Sequence, residues 1–471
     1  MAVLKRDPIG LRPLYYSKRY GVAGESVREL FAKGVPRRVS RKGLYTFLSY
    51  GSVQEPYTLV EDVHSVPPGF QIHVGDGRVS EPTSWWTPDF KAGEWTRETA
   101  QQAVTAELEK SVAACIEPGR TPAAFLSGGI DSSCVVALLR RQYDGEIRTF
   151  CVSHEDKRMD ERRWARMVSE RNATSHTELV LTSEMFSANL DRALADYDQP
   201  SIDGLNNWFA CKMVKDAGVD TICCGNGGDE LFMGYGRFSK PRAVLDCARK
   251  VRFLPRCLGT LVELLAPNER MNKFGQLIGW RHDPYLLARR IHSDRRIRRL
   301  LRDGLFDGDV DLGVDAPTED LLNAISWKEM RTNMLSAYLR DGFQIPASRG
   351  VRLLSPLLSP ALLELMLTIP SACKVDPEVL KPLLVHAAGD GMPPEIPAHG
   401  KFGFSLPFRM YFEGPLKSRL DAFFCGGDSL LFNGNSLADL RKAFRCGRVN
   451  WSRVWSLYVV DRWCRDNGME I

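Results

Sequence analysis

The sequence has no Cys-x-x-Cys pair, no internal repeat, no low-complexity tract and no apolar run of membrane-spanning length. The first absence removes the usual spacing of zinc sites and dithiol relays, and the last removes a transmembrane helix. Twelve cysteines stand at irregular intervals. Cys134, Cys151 and Cys223 lie inside apolar runs, where a reduced thiol acts as a small hydrophobe, and Cys223 and Cys224, adjacent on a strand, face opposite ways. Charge of one sign is scarce too. Against 63 basic residues stand 58 acidic ones, a balance of +5 over 471 residues, which gives no reason to expect a nucleic-acid partner. Residues 1–8 lack the apolar stretch and cleavage site of a secretory signal. The expectation is a cytoplasmic protein that engages neither membrane nor nucleic acid.

What is present supports sizeable cores, since 44% of residues are apolar. The length suggests roughly two to four domains. Residues 1–95 carry short β-like runs and turn signals such as Pro67, Pro68, Gly69 and Gly75, Asp76, Gly77, which predict sheet with few helices. From Thr96 the pattern changes. Ala100, Val104, Leu108, Val112 and Ile116 recur every four residues, predicting a helix with Thr96 as N-cap and a domain boundary near residue 95. An apolar run at 123–126, a helix bearing Val135, Val136, Leu138 and Leu139, and strand-like runs at 147–152 and 219–224 alternate as in a parallel sheet with crossover helices. The segment 240–340 reads as mostly helical. Its Arg-dense part, 289–302, reads as one helix with a solvated face, although an acidic peptide or RNA would also suit it, and 303–320 reads as a loop.

The chemistry concentrates at Ser127, Gly128, Gly129, Ile130, Asp131, Ser132 and Ser133, between the strand ending at Leu126 and the following helix. A helix N-terminus offers unpaired N–H groups and a positive dipole end, and both favour phosphate oxygens. Gly128 and Gly129 allow close backbone approach, while Ser127, Ser132 and Ser133 add hydroxyl donors. A plain strand-to-helix turn would use the same residues. Asp131 argues for more, because a carboxylate faces phosphate only through a cation, which implies Mg²⁺. The lysine of an ordinary P-loop is absent from this position.

Those seven residues resemble the pyrophosphate loop of the ATP pyrophosphatase superfamily. Further blocks select the asparagine synthetase family within it: Cys224, Gly225, Asn226, Gly227, Gly228, Asp229, Glu230, Leu231 and Phe232, with Gly234 and Tyr235; Met159, Asp160 and Glu161; Lys381, Pro382, Leu383 and Leu384; and the run 401–407 opening on Lys401. In the first 95 residues, 6–16, 23–25 and 67–69 resemble that family's glutaminase domain. The resemblance implies an α/β fold: a C-terminal Rossmann-like parallel sheet of ATP pyrophosphatase type over 96–471, and a partial α+β glutaminase-like sheet domain over 1–95. It also implies ATP and Mg²⁺, adenylation of a carboxylate such as aspartate with release of AMP and pyrophosphate, and amide formation with ammonia or another amine. Asp131 and Asp229 would hold Mg²⁺. Leu126, Val152 and Gly225 would shape the ATP site, and Lys381 and Lys401 would meet its phosphates, with Lys401 also stabilising charge in the transition state.

Two departures narrow this expectation. Residue 2 is Ala where the family's glutaminase carries a cysteine nucleophile after removal of Met1, and the first half of that domain is absent. Its strand edges would stay unpaired unless another element, such as a partner protein or a second copy, covers them. Aligned on Asp341, Gly350 and Pro356, Arg352 replaces a family glutamate, Leu354 an arginine and Ser359 an aspartate. Arginine cannot act as a general base at neutral pH but suits a carboxylate, so Arg352 is expected to bind the acid substrate. Three functions remain open: an asparagine synthetase-like ligase, an intramolecular cyclase resembling lasso-peptide cyclases or β-lactam synthetases, and an inactive ATP-binding scaffold.

Overall fold

The computed structural model describes residues 2–91, 93–155, 160–234, 239–251, 253–266, 269–279, 283–399, 406–425 and 428–471. The first part of the chain folds as two antiparallel sheets. One runs β1 (Ala2–Lys5), β5 (Phe70–Gly75), β6 (Arg78–Val79), with β7 (Thr83–Ser84) also on β5. The other runs β3 (Val22–Gly24), β2 (Tyr15–Ser17), β4 (His64–Ser65). Among the described residues β1 pairs with β5 alone, and Val3 on it is exposed. Two helices complete this part: α1 (Val27–Ala32) and α2 (Arg41–Tyr50). Ser40 Oγ accepts the Gly43 N–H to start α2, and a left-handed Gly51 ends it.

Thr96 caps α3 (Arg97–Ala113) reciprocally with Thr99, each side chain accepting the other's backbone N–H at 3.0–3.2 Å. Ala100, Val104, Leu108 and Val112 are fully buried. Ile116 lies beyond the last helical residue and is only partly covered, so the four-residue apolar step outruns the helix. Then come β8 (Ala123–Phe125), α4 (Ile130–Gln142), β9 (Arg148–His154), α5 (Arg162–Arg171), β10 (Ser175–Leu181), α6 (Ser183–Ala195), α7 (Gly204–Asp216), β11 (Thr221–Cys223) and the single turn α8 (Gly228–Leu231). A last strand, β12 (Arg352–Leu354), arrives from far along the chain. The sheet order is β10-β9-β8-β11-β12, and all its pairings are parallel.

Two strands of this sheet carry no clear sequence signal. β10 is an edge strand whose Ser175, His176, Thr177 and Glu178 keep it polar, and β12 is only three residues long. The Arg-dense segment is not one helix. It forms Pro284–Arg289 and Asp294–Leu300, broken where Ile291 N–H donates to Ser49 O (2.6 Å) and His292 is buried. That backbone bond to α2 requires a non-helical residue. The segment 303–320 is a loop, as its composition suggests.

A polar seam ties residues of the first part to the rest. Asp198 accepts the N–H groups of Val27 (3.0 Å) and Arg28 (3.1 Å) at the start of α1, and one from Gln344 Nε2 (3.0 Å). The Arg340 guanidinium reaches Val53 O and Pro200 O, both at 3.3 Å. Around this seam one apolar cluster combines Val27, Leu30, Phe47 and Leu48 with Trp208, Trp455 and Leu457. Asp198→Ala orphans two backbone N–H groups, each at about 1–3 kcal/mol when buried. We expect guanidinium denaturation to show a loss of about 2–4 kcal/mol; a loss under about 1 kcal/mol would mean that water replaces the carboxylate.

Candidate active site

Counted along the chain, the parallel strands lie in the order 3-2-1-4-5, so chain direction across the sheet reverses between β8 and β11. Open α/β sheets bind ligands at such a switch, beyond the carboxyl ends of the strands. A cavity of about 250 Å³ lies there. Its floor is apolar, with Leu126, Phe150, Val152 and Leu353, and its rim carries Ser127, Gly129, Asp131, Ser132, Asn207 and Asn226.

The loop from β8 to α4 is braced from within. Ser132 Oγ accepts the Ser127 N–H (3.2 Å) and donates to Gly129 O (3.1 Å), and the Gly129 N–H donates to Ser127 Oγ (3.3 Å). Gly129 stands at the N-cap of α4 without a side-chain cap, so the helix entrance is not closed by a protein oxygen. Gly128 has φ +79°, and a Cβ there would lie 2.4 Å from Trp164 Cβ, so position 128 has neither the conformation nor the space for a side chain. From the other side His399 Nε2 donates to Gly128 O (2.9 Å), while its ring stacks on Trp164 at 4.4 Å and 10°.

The charged centre is a three-residue cluster. Lys381 Nζ lies 2.5 Å from Asp131 Oδ1 and 2.6 Å from Asp229 Oδ1. The side chains are 1, 15 and 10% exposed, so water screens the cluster little; the Lys381–Asp131 hydrogen bond is charge-assisted, and Asp229 meets the ammonium as an ion pair. Lys381 adopts φ +53°, an unusual backbone state for a residue with a side chain, immediately before Pro382 opens the helix Pro382–Ala388. The glycines opposite make room. A Cβ on Gly228 would lie 2.4 Å from Asp131 Cγ, one on Gly225 2.8 Å from Asp131 Cβ, and one on Gly234 1.5 Å from Lys381 Cε.

Two carboxylates and one ammonium leave a net negative charge at the mouth of the phosphate loop. Among the described residues no group of three His, Cys, Asp or Glu side chains could hold a metal. A pair of carboxylate oxygens nevertheless fits Mg²⁺, which commonly takes one or two protein carboxylates and completes its shell with phosphate and water. Burial pushes the Cys224 thiol up to about 11 and that of Cys211 up to about 12. Both cysteines line the cavity as neutral thiols, without the thiolate that nucleophilic chemistry needs.

The structure gathers Leu126, Ser127, Gly129, Asp131, Ser132, Val152, Gly225 and Lys381 on the cavity wall, with Asp229 joined through Lys381. Gly128 faces Trp164 instead. Ser133 is fully buried and does not line the cavity, so its hydroxyl is no rim donor. Lys401, Met159 and Tyr235 lie outside the described residues. Arg352 is not brought to the site. It occupies the entry of β12, at the sheet end opposite the cavity, and its guanidinium pairs with Glu117 in a largely exposed contact. Ser359 caps the helix Pro360–Thr368, accepting the Leu362 N–H at 3.1 Å, and Leu354 O accepts the Cys224 N–H. Sequence reasoning missed Trp164, His399 and Asn207, and named Asn226 only as part of a family block. A polar Asn207 inside the apolar run of α7 and a histidine two residues before Lys401 were the available signals.

The sequence model for asparagine synthase matches residues 103–465, and that for a glutamine amidotransferase domain matches residues 1–86. Asparagine synthetase [glutamine-hydrolyzing] 1 of Bacillus subtilis is 24% identical over 87% of this chain and 66% of its own length, so the chain spans slightly under two thirds of that relative. A putative asparagine synthetase [glutamine-hydrolyzing] of Mycobacterium tuberculosis is 27% identical over 97% of this chain and 73% of its own. Carboxyethyl-arginine beta-lactam-synthase of Streptomyces clavuligerus is 37% identical over 37% of this chain and 34% of its own. With the glycine-braced phosphate loop and the paired aspartates already in place, these matches lead to one conclusion: the chain belongs to the asparagine synthase family.

Proposed function

We propose that this protein is an ATP-dependent amide-forming ligase that adenylates a carboxylate and passes the acyl group to an amine. The observation that carries the proposal is the cluster of Asp131, Asp229 and Lys381 at the entrance of α4, beside a cavity at the sheet's switch point. A carboxylate oxygen of the substrate attacks the α-phosphorus of ATP, and the bond to the bridging oxygen breaks to release pyrophosphate. An amine then attacks the acyl carbon and AMP leaves, taking the C–O bonding pair.

The protein's share of this work is charge management. Backbone N–H groups of 127–133 and the α4 dipole receive the departing pyrophosphate. Asp131 and Asp229 hold Mg²⁺, which supplies electrostatic neutralisation of the polyphosphate when bound. Lys381, already aimed between the aspartates, turns to phosphate oxygens when nucleotide arrives, and Lys401 serves the same charge. Leu126, Val152 and Gly225 shape the nucleoside end. Residues 1–95 form a glutaminase-like domain packed on the ligase domain of 96–471. The nitrogen donor is ammonia or an amine, the setting is the cytoplasm, and a partner protein or second copy covers β1.

Aspartate or a related acid is the first substrate class. An intramolecular amide former is the second, supported by the local likeness to a β-lactam synthase. ATP–pyrophosphate exchange over a panel of acids separates these. Exchange with aspartate supports the first, exchange only with a larger acid or peptide supports the second, and none with any acid would leave an inactive scaffold.

With a responsive acid, Asp131→Asn should lower exchange by roughly a hundredfold or more, the scale of losing one preorganised electrostatic group; wild-type exchange in that variant would rule out the metal role. Lys381→Met leaves two buried carboxylates facing each other and should cost about 3–5 kcal/mol. Added Mg²⁺ should then raise the melting temperature of this variant more than that of wild type, and an equal response would show that the pair does not take the cation. Arg352→Ala breaks an exposed pair worth about 0–1 kcal/mol and should leave exchange unchanged. A rise in the carboxylate KM alone would return Arg352 to the site.

A further inference from the structure

Away from the nucleotide site, the helices following residue 239 turn an apolar face outward. Helix Arg256–Leu265 packs on Glu269–Ile278 through glycines: a Cβ on Gly259 would lie 2.4 Å from Gly279 N, and one on Gly275 2.7 Å from Glu263 Cγ. The crossing therefore uses the small residues and leaves long ones outside. Leu261, Leu264 and Leu265 are 51, 71 and 73% exposed, and Phe253 just before the helix is 79% exposed. Side chains this exposed form a ridge on the surface, whereas a peptide helix needs a groove. An apolar ridge of this kind calls for an occupant.

The segment that carries the ridge is basic in sequence, with nine Lys or Arg against three Asp or Glu over residues 239–282, and among its described side chains Lys250 and Arg256 are exposed. At the C-terminal end of the ridge, Ala266 borders a second cavity of about 340 Å³ between the helices Asp294–Leu300 and Gly434–Arg445. Arg295, Arg296 and Arg299 line it, with Asp439 the one acid among the described lining residues. Arg295 reaches Ala266 O (3.4 Å), and neither Arg295 nor Arg299 makes an ion pair among the described residues.

We propose that this ridge and the adjoining arginine cavity form a peripheral contact with a bilayer containing anionic phospholipid. Phe253, Leu261, Leu264 and Leu265 enter the headgroup–acyl boundary, and Arg295 and Arg299 take a headgroup phosphate. Charge complementarity selects this occupant. A second copy placed symmetrically would set basic ridge against basic ridge. No described helix is long and apolar enough to cross a membrane, and lying in the interface requires no such length. The inference is independent of the ligase reading.

The test is flotation of the full chain with vesicles of phosphatidylcholine alone and of phosphatidylcholine mixed with phosphatidylglycerol. Binding is expected only to the mixed vesicles and should fall with added salt. The double variant Leu264→Ser, Leu265→Ser should bind the mixed vesicles roughly tenfold or more weakly. Arg295→Gln with Arg299→Gln should lose a similar factor, and unchanged thermal melts would show that both variants fold. Wild-type binding by the serine variant, or equal binding to both compositions, would overturn the proposal. So would saturable binding of inorganic phosphate, or of an acidic amphipathic helical peptide, by a wild-type chain that ignores vesicles.

Discussion

The site depends on one ammonium group held between two carboxylates. Lys381, Asp131 and Asp229 come from three separate stretches of chain, and their convergence sets conditions on everything around them. Position 228 must be glycine because a Cβ would strike Asp131, and position 234 because a Cβ would strike Lys381. Lys381 itself takes a left-handed backbone, a cost of order 1–3 kcal/mol that the surrounding structure must offset. In the Gly-rich stretch before Phe232, Gly225 and Gly228 are thus explained by the space that Asp131 occupies, and Gly227 by its left-handed φ of +91°.

The sheet makes this convergence possible. Its 3-2-1-4-5 order places the ends of β8 and β11 side by side, so the loop carrying Asp131 and the turn carrying Asp229 leave the sheet as neighbours. β12 completes the far edge, and its Leu353 closes the cavity floor. The first part of the chain is held to this body through Asp198, Arg340 and a shared apolar cluster. It packs as part of the body, whatever residual glutaminase ancestry it carries.

Most of this was legible in the sequence because it rests on local rules. The capping pair at Thr96, the four-residue apolar step of α3 and the strand-loop-helix at Ser127 are each written within a few residues. The exceptions are non-local. β12 is three residues long and becomes a strand only because β11 is there to pair with it. The Arg-dense segment breaks because Ser49, more than two hundred positions earlier, takes the Ile291 N–H. Arg352 is the instructive case. Its spacing from Asp341, Gly350 and Pro356 suggested a place in the site, yet the side chain faces Glu117 at the other end of the sheet, since spacing along the chain says nothing of what a side chain reaches. Trp164 and His399, which fix Gly128 from two sides, escaped notice because each touches the loop through a contact that no local pattern encodes.

In the proposed reaction the cluster and the loop of residues 127–133 serve attack of a carboxylate on the α-phosphorus of ATP. The direct measurement is the fate of a heavy-oxygen label placed in the carboxylate of an accepted acid. One labelled oxygen is expected in the AMP formed, because the carboxylate oxygen stays on the α-phosphorus when the acyl group moves to the amine. Label found in inorganic phosphate, with ADP as the nucleotide product, would contradict it.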